Sequence, residues 1–306
     1  MSIKLYIKLI SKIIFAISII LITGCKSDGK KSQSLEDSIE VVDIDEQLIT
    51  EIQTAKQIFY SLPSPLETAM LIKKAGAAFN PEILNSLENA SNYITTKSMA
   101  LNLGIYSTDL SYASLFDQTQ YAIQYMTAAR KMVDGLGITD AITNETIERL
   151  QENINHRDVI MDIISEAFMN SSSFLKENDR SGISALVLVG GWIEGIYIAT
   201  KLVDKEKISE GGLIDRIIDQ KLSLVNVIKL LEENNDEEDI ATVLTLIYDL
   251  KSVFDEIQIT TTPIKAEKNE ESNITTLKST TKATIDLPTF IKLSDKIEAI
   301  RNNFTL

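Results

Sequence analysis

The chain has 306 residues, 30 lysines and arginines against 44 aspartates and glutamates, a formal charge of −14 and one cysteine. That acidity argues against nucleic acid as a partner and against lying flat on anionic lipid, and its plain consequence is solubility. A single cysteine excludes an internal disulfide and a structural zinc site, so stability must come from the core. The length suffices for one large or two small domains.

The amino terminus reads as an export signal. Lys4, Lys8 and Lys12 give a basic start, and an apolar run of about ten residues follows through Ile22, too short to span a membrane comfortably. The run ends in Leu21-Ile22-Thr23-Gly24-Cys25, with an aliphatic residue three before the sole cysteine and two small residues between. This resembles the lipobox of bacterial lipoproteins. The resemblance implies removal of residues 1–24, a diacylglycerol on the Cys25 sulfur and an acyl chain such as palmitate on the freed amine. It also implies a lipid-anchored place at the cell envelope, expected at the outer membrane on its periplasmic or surface side. Residues 25–42 are polar and weakly patterned and read as a flexible tether. Residues 43–306 read as one helical domain.

From Asp43 onward the pattern is helix after helix. Ile44, Leu48, Ile52, Ala55 and Phe59 recur at helical spacing behind an Asp43/Glu46 capping box. Ser64-Pro65-Leu66-Glu67 and Asn80-Pro81 are start signals, predicting helices over about 65–78 and 81–93. Further helices are predicted over about 98–115 and 118–133, the second closed by Gly135 and Gly137. Residues 141–175 predict one bent helix or two abutting ones. A central helix over about 183–203 precedes amphipathic ones over about 212–232 and 236–257. Then Ile257 to Thr262 and Ala283 to Leu287 alternate and are β-branched, which predicts a small hairpin over about 257–287 laid on the helices. Pro288 opens a last helix to about residue 304. The expected fold is therefore a mainly α multi-helix bundle with a small β-hairpin near the carboxyl end. In lipobox and in helical, low-cysteine composition the chain resembles the all-helical lipoproteins of Bacteroidota, a resemblance that brings no catalytic residues with it.

The central stretch from Ala185 to Lys201 is apolar on every face, so its helix should be surrounded by others. It carries the sole tryptophan, Trp192, three glycines (Gly190, Gly191, Gly195) and one carboxylate, Glu194. Each interior glycine costs a helix about 1 kcal/mol, so a close backbone approach is the expected compensation. The sequence also echoes itself. Asn89 to Tyr93 resembles Asn170 to Phe174, and Asp109-Leu110-Ser111-Tyr112 aligns with Glu194-Gly195-Ile196-Tyr197, with Tyr106 and Trp192 upstream. An internally duplicated helical unit and chance reuse of residue types both account for this echo.

In each echo the acid and the tyrosine lie one helical turn apart on one face. If both faces turn inward, Asp109, Glu194, Tyr112 and Tyr197 converge, near Trp192. Two carboxylates in a dry site suit general acid and base chemistry, a cation or polar-ligand site, or a satisfied core network. Other signals are fragmentary. His156, the sole histidine, has Glu152 four residues before it, but a di-iron bundle needs a second histidine. No glycine-rich loop follows a strand, and the acidic run 232–239 lacks the spacing of an EF-hand. The expectation is a non-enzymatic, lipid-anchored envelope protein that binds an envelope protein or small ligand, with no cofactor and no metal. The alternative is a carboxylate-based hydrolase or a cation-binding protein using Asp109 and Glu194.

Overall fold

Two helices in contact through glycine organise the rest. The computed structural model describes residues 78–208, 212–236, 238–261, 265–269, 274–278 and 281–306, all within the unit Ile49–Leu306. The signal sequence, Cys25, the tether and the helices expected over 43–59 and most of 65–78 lie outside the described residues. Among the described residues the chain is mainly helical: α1 (Thr96–Leu115), α2 (Thr119–Leu136), α3 (Asn144–Glu152), α4 (Arg157–Glu177), α5 (Ser181–Leu202), α6 (Leu213–Glu232), α7 (Glu238–Phe254) and α8 (Leu287–Thr305).

Local chemistry sets the ends of these helices. Thr95 and Ser98 form a reciprocal capping box at the start of α1. Gly137 closes α2 in the left-handed region, at φ 65°, where a side chain would be strained. Asp286 accepts the Thr289 N–H at 2.8 Å to start α8, with Pro288 in the first turn.

α1 and α5 are the buried pair. α5 is long and apolar enough to cross a membrane, yet it is almost wholly enclosed by the protein. It packs along the length of α1, with α2 and α4 beside α1, α4, α6 and α8 beside α5, α3 against α4, and α7 between α6 and α8. A Cβ on Gly104 would stand 2.1 Å from the Val187 carbonyl oxygen, and one on Gly190 would stand 2.0 Å from that of Leu101. A Cβ on Gly191 would stand 3.3 Å from the Gly104 carbonyl oxygen, and Thr108 Oγ1 seals the crossing with its hydroxyl between the carbonyls of Gly104 at 3.1 Å and Gly191 at 3.2 Å. The close approach expected of the central glycines therefore holds at Gly190 and Gly191. It does not hold at Gly195, where an added Cβ meets nothing within 4 Å.

Three other expectations are corrected. Residues 81–93 form two short 3₁₀ turns, Pro81–Ile83 and Leu87–Ser91, in place of a helix. The reason lies at Asn85 between them: its N–H goes to Asp109 and its C=O takes the Tyr125 hydroxyl, so neither serves a continuous helix. The echo consequently fails in local structure at Asn89 to Tyr93, because Asn170 to Phe174 lies inside α4. Between α7 and α8 the backbone forms two antiparallel pairs, Gln258–Thr261 with Thr281–Thr284 and Lys265–Asn269 with Ile274–Lys278. A small hairpin laid on the helices is not supported. The pairing stops at Thr284 because Asp286 and Leu287, expected in the second strand, start α8.

Gly190→Ala and Gly104→Ala should each lose about 3 kcal/mol or more, since backbone rather than a flexible side chain must move. Gly195→Ala should gain about 0.5–1 kcal/mol from helix propensity. Urea midpoints of the three variants measure this, and equal losses at all three positions would contradict the packing described.

Candidate functional site

Beyond the glycine crossing, α1 and α5 bring Asp109 and Glu194 together. Both side chains are wholly buried, at 0 % exposure, and close enough to share a hydrogen bond. A third element completes the cluster. Arg301 on α8 donates from Nε to Glu194 Oε2 at 2.9 Å and from Nη2 to Oε1 at 3.2 Å, a bidentate fork that occupies both oxygens. The guanidinium lies 4.8 Å from the centre of the Tyr197 ring, a cation–π contact, and Lys201 reaches the same ring at 5.4 Å. Farther out Lys201 pairs with Glu298 at 2.8 Å.

Asp109 is held differently. Its Oδ2 accepts the Asn85 backbone N–H at 3.2 Å, and its Oδ1 has no donor among the described residues. Around Asn85 runs a chain of amides and hydroxyls. The Asn85 amide donates to Asn102 Oδ1 and to the Tyr93 hydroxyl, each at 3.1 Å. The Asn102 amide donates to the Phe304 carbonyl at 2.8 Å, and the Tyr93 hydroxyl to that of Thr305 at 3.2 Å. These are carbonyls of the last turn of α8, which would otherwise lack partners. The cluster thus receives the last helix twice, by its arginine and by its carbonyl end.

Burial pushes the Asp109 carboxyl well above the usual carboxylate range, and the Glu194 charge beside it adds to the rise. Burial also raises Glu194, but there the Arg301 guanidinium pulls the other way. Burial likewise raises the Tyr106 and Tyr125 hydroxyls, so both stay neutral.

Of the residues singled out in the sequence, Asp109, Glu194 and Tyr197 converge, Tyr197 through the arginine. Tyr112 does not join them: its hydroxyl takes the Asn80 N–H at 3.1 Å and its ring stacks on Phe79 at 5.2 Å. Trp192 turns toward α6 and donates from Nε1 to Gln220 Oε1 at 3.0 Å. Sequence reasoning missed Arg301, Asn85 and Asn102. For Arg301 a signal existed, because it interrupts the apolar stripe Phe290, Leu293, Ile297, Phe304 of its helix at a buried position.

The other sequence signals separate. His156 is exposed and precedes α4, whereas Glu152 ends α3, so the two do not share a helical face. Among the described residues no group of three histidine, cysteine, aspartate or glutamate side chains is placed to hold a metal. A polar groove of about 390 Å³ runs between α3 and α4, past Glu145, Arg149, Glu166 and Phe174. An almost wholly apolar slot of about 50 Å³ lies between α1, α2 and α4. Neither is lined by Asp109 or Glu194.

Glu194→Gln leaves the Arg301 charge buried against a neutral amide and should lose about 3–5 kcal/mol. The double replacement Glu194→Leu with Arg301→Met removes both charges and should lose less than Glu194→Gln alone. Urea midpoints of Glu194→Leu, Arg301→Met and the double variant close a double-mutant cycle, and additive losses would mean that the two groups do not act as a pair. No family model, curated protein or solved structure matches this chain, so its functional reading rests on the residues themselves.

Proposed function

We propose that the chain is a lipid-anchored protein of the bacterial envelope whose helical body binds a partner protein or small ligand without turning it over, and that the Asp109–Glu194 cluster is architectural. The address is supported by the lipobox Leu21 to Cys25, which uses the sole cysteine. The architectural role is supported by one observation above all: both oxygens of Glu194 are engaged by Arg301 inside a closed interior. A general acid or base needs contact with substrate, and a cation site needs free oxygens. Here the guanidinium takes the place a bound cation would take.

The second reading, a carboxylate-based hydrolase or cation-binding protein, keeps one observation in its favour, the convergence of Asp109 and Glu194. An internal repeat keeps one observation in its favour, the meeting of Asp109 and Glu194 between α1 and α5; its aromatic positions go to different partners, and the turns before α1 do not match.

Cys25→Ser should abolish fatty-acid labelling and move the protein from the membrane to the soluble fraction; unchanged retention would count against the anchor. For the cluster, turnover of ester, glycoside or phosphate substrates should be absent from the wild type. Turnover that disappears in Asp109→Asn at unchanged melting temperature would establish the second reading instead.

A further inference from the structure

The interior at Asp109 has a charge-counting problem. Two carboxyl groups and one guanidinium meet where neither carboxyl touches water. Arg301 donates once to each oxygen of Glu194 and leaves each a second lone pair, the Asn85 N–H donates to one oxygen of Asp109, and Asp109 Oδ1 alone has no donor. An oxygen that lacks a donor but has a carboxylate beside it is satisfied when it carries hydrogen itself and donates to that carboxylate. One proton also makes the cluster electrically neutral.

Resting on the architectural reading above, we propose that the Asp109–Glu194–Arg301 cluster is a proton-operated clamp on α8: a single proton between the two acids balances the guanidinium and holds α8 against α1 and α5, and release of that proton to solvent leaves an excess buried negative charge that loosens α8. The groups facing Asp109 agree with this assignment. From α5 come Glu194 and, behind the arginine, Tyr197; from α8 comes Arg301, with Glu298 tied to Lys201 farther out. From α2 comes Tyr125 and from α1 itself Tyr106, while Tyr93 of the preceding turns meets Asn85 at the edge of the cluster; all three are phenols that burial keeps neutral. α4 meets α1 on another side, where Ile164, Ala167 and Phe168 line the apolar slot with Leu103 and Leu110. Arg301 is therefore the one cation in contact with the acids among the described residues, and it sits on the helix whose last carbonyls the same network receives.

The sign follows from linkage. Asp109 keeps its proton when folded at a pH where the unfolded chain has already lost it. The folded chain then binds more protons, so stability falls as pH rises above the ordinary aspartate value of about 4. Asp109→Asn reproduces the protonated form: its amide oxygen accepts from Asn85 and its NH₂ donates to Glu194, with nothing left to ionise.

Two measurements on the full-length chain test this. Infrared titration of the wild type should show one protonated carboxyl persisting at about pH 6, where solvent-exposed acids are ionised, and its absence would overturn the proposal. Amide exchange should show protection across α8 falling by up to about tenfold per pH unit above pH 5, more steeply than across α2, and by less than about twofold in Asp109→Asn. The same slope in both proteins overturns the clamp. Should Asp109→Asn fail to fold, the infrared titration and the comparison of α8 with α2 in the wild type decide alone. A failure of the architectural reading looks different: turnover of an ester, glycoside or phosphate substrate would be seen in the wild type and lost in Asp109→Asn, while the infrared band and the exchange slope of the wild type stay as described.

Discussion

Two packed helices ordinarily keep their axes about 8–10 Å apart because side chains stand between them. Gly104, Gly190 and Gly191 remove those side chains at one level of α1 and α5, and the backbones close until a single added methyl would overlap a carbonyl oxygen. The acid cluster depends on that approach. With α1 and α5 this close, the next inward positions beyond the crossing, Asp109 and Glu194, have no room for an apolar layer between them. They meet as two acids in a space without water, and the rest of the interior answers the problem this creates.

The answer arrives from distant parts of the chain. Arg301 comes from the last helix, the Asn85 N–H from a turn ahead of α1, and the phenol of Tyr125 from α2. Each brings its own requirement. Asn85 must leave its backbone groups free for Asp109 and Tyr125, so the segment around it breaks into 3₁₀ turns. α8 must end where Asn102 and Tyr93 can reach its carbonyls. A buried ion pair is weak evidence of extra stability, since apolar replacement is often neutral or better, but it commits the parts that form it to one arrangement. Here the cluster around it commits three helices and one turn to a single geometry.

Helices α1, α2, α6, α7 and α8 were legible because their apolar spacing, caps and closing glycines are local signals, read within a turn or two of chain. The break inside 141–175 was legible as an alternative for the same reason. Residues 81–93 were misread because Asn80-Pro81 is a true start signal, while the cause of the early stop is a hydrogen bond to Asp109 on another element. Gly195 was misread by analogy with its neighbours, since composition cannot tell which glycine faces a backbone. Tyr112 and Tyr197 occupy equivalent places in the echo, yet one reaches Phe79 and Asn80 and the other lies under Arg301. Helical spacing specifies a face, not the partner that the face meets.

By itself the sequence determined the helical class, the interior position of α5, the commitment of one carboxylate to that interior and the expectation of an acyl anchor at Cys25. These follow from apolar periodicity and from short motifs whose physics is complete within a few residues. Only the tertiary structure decided that Asp109 stands beside Glu194, that Arg301 rather than a tyrosine or a lysine satisfies it, and that the cluster is sealed. Such facts depend on contacts between residues 107 positions apart at the ion pair and up to 212 apart in the network around it, and the desolvation and charge balance that govern them come into being only when α1, α5 and α8 have closed around the acids.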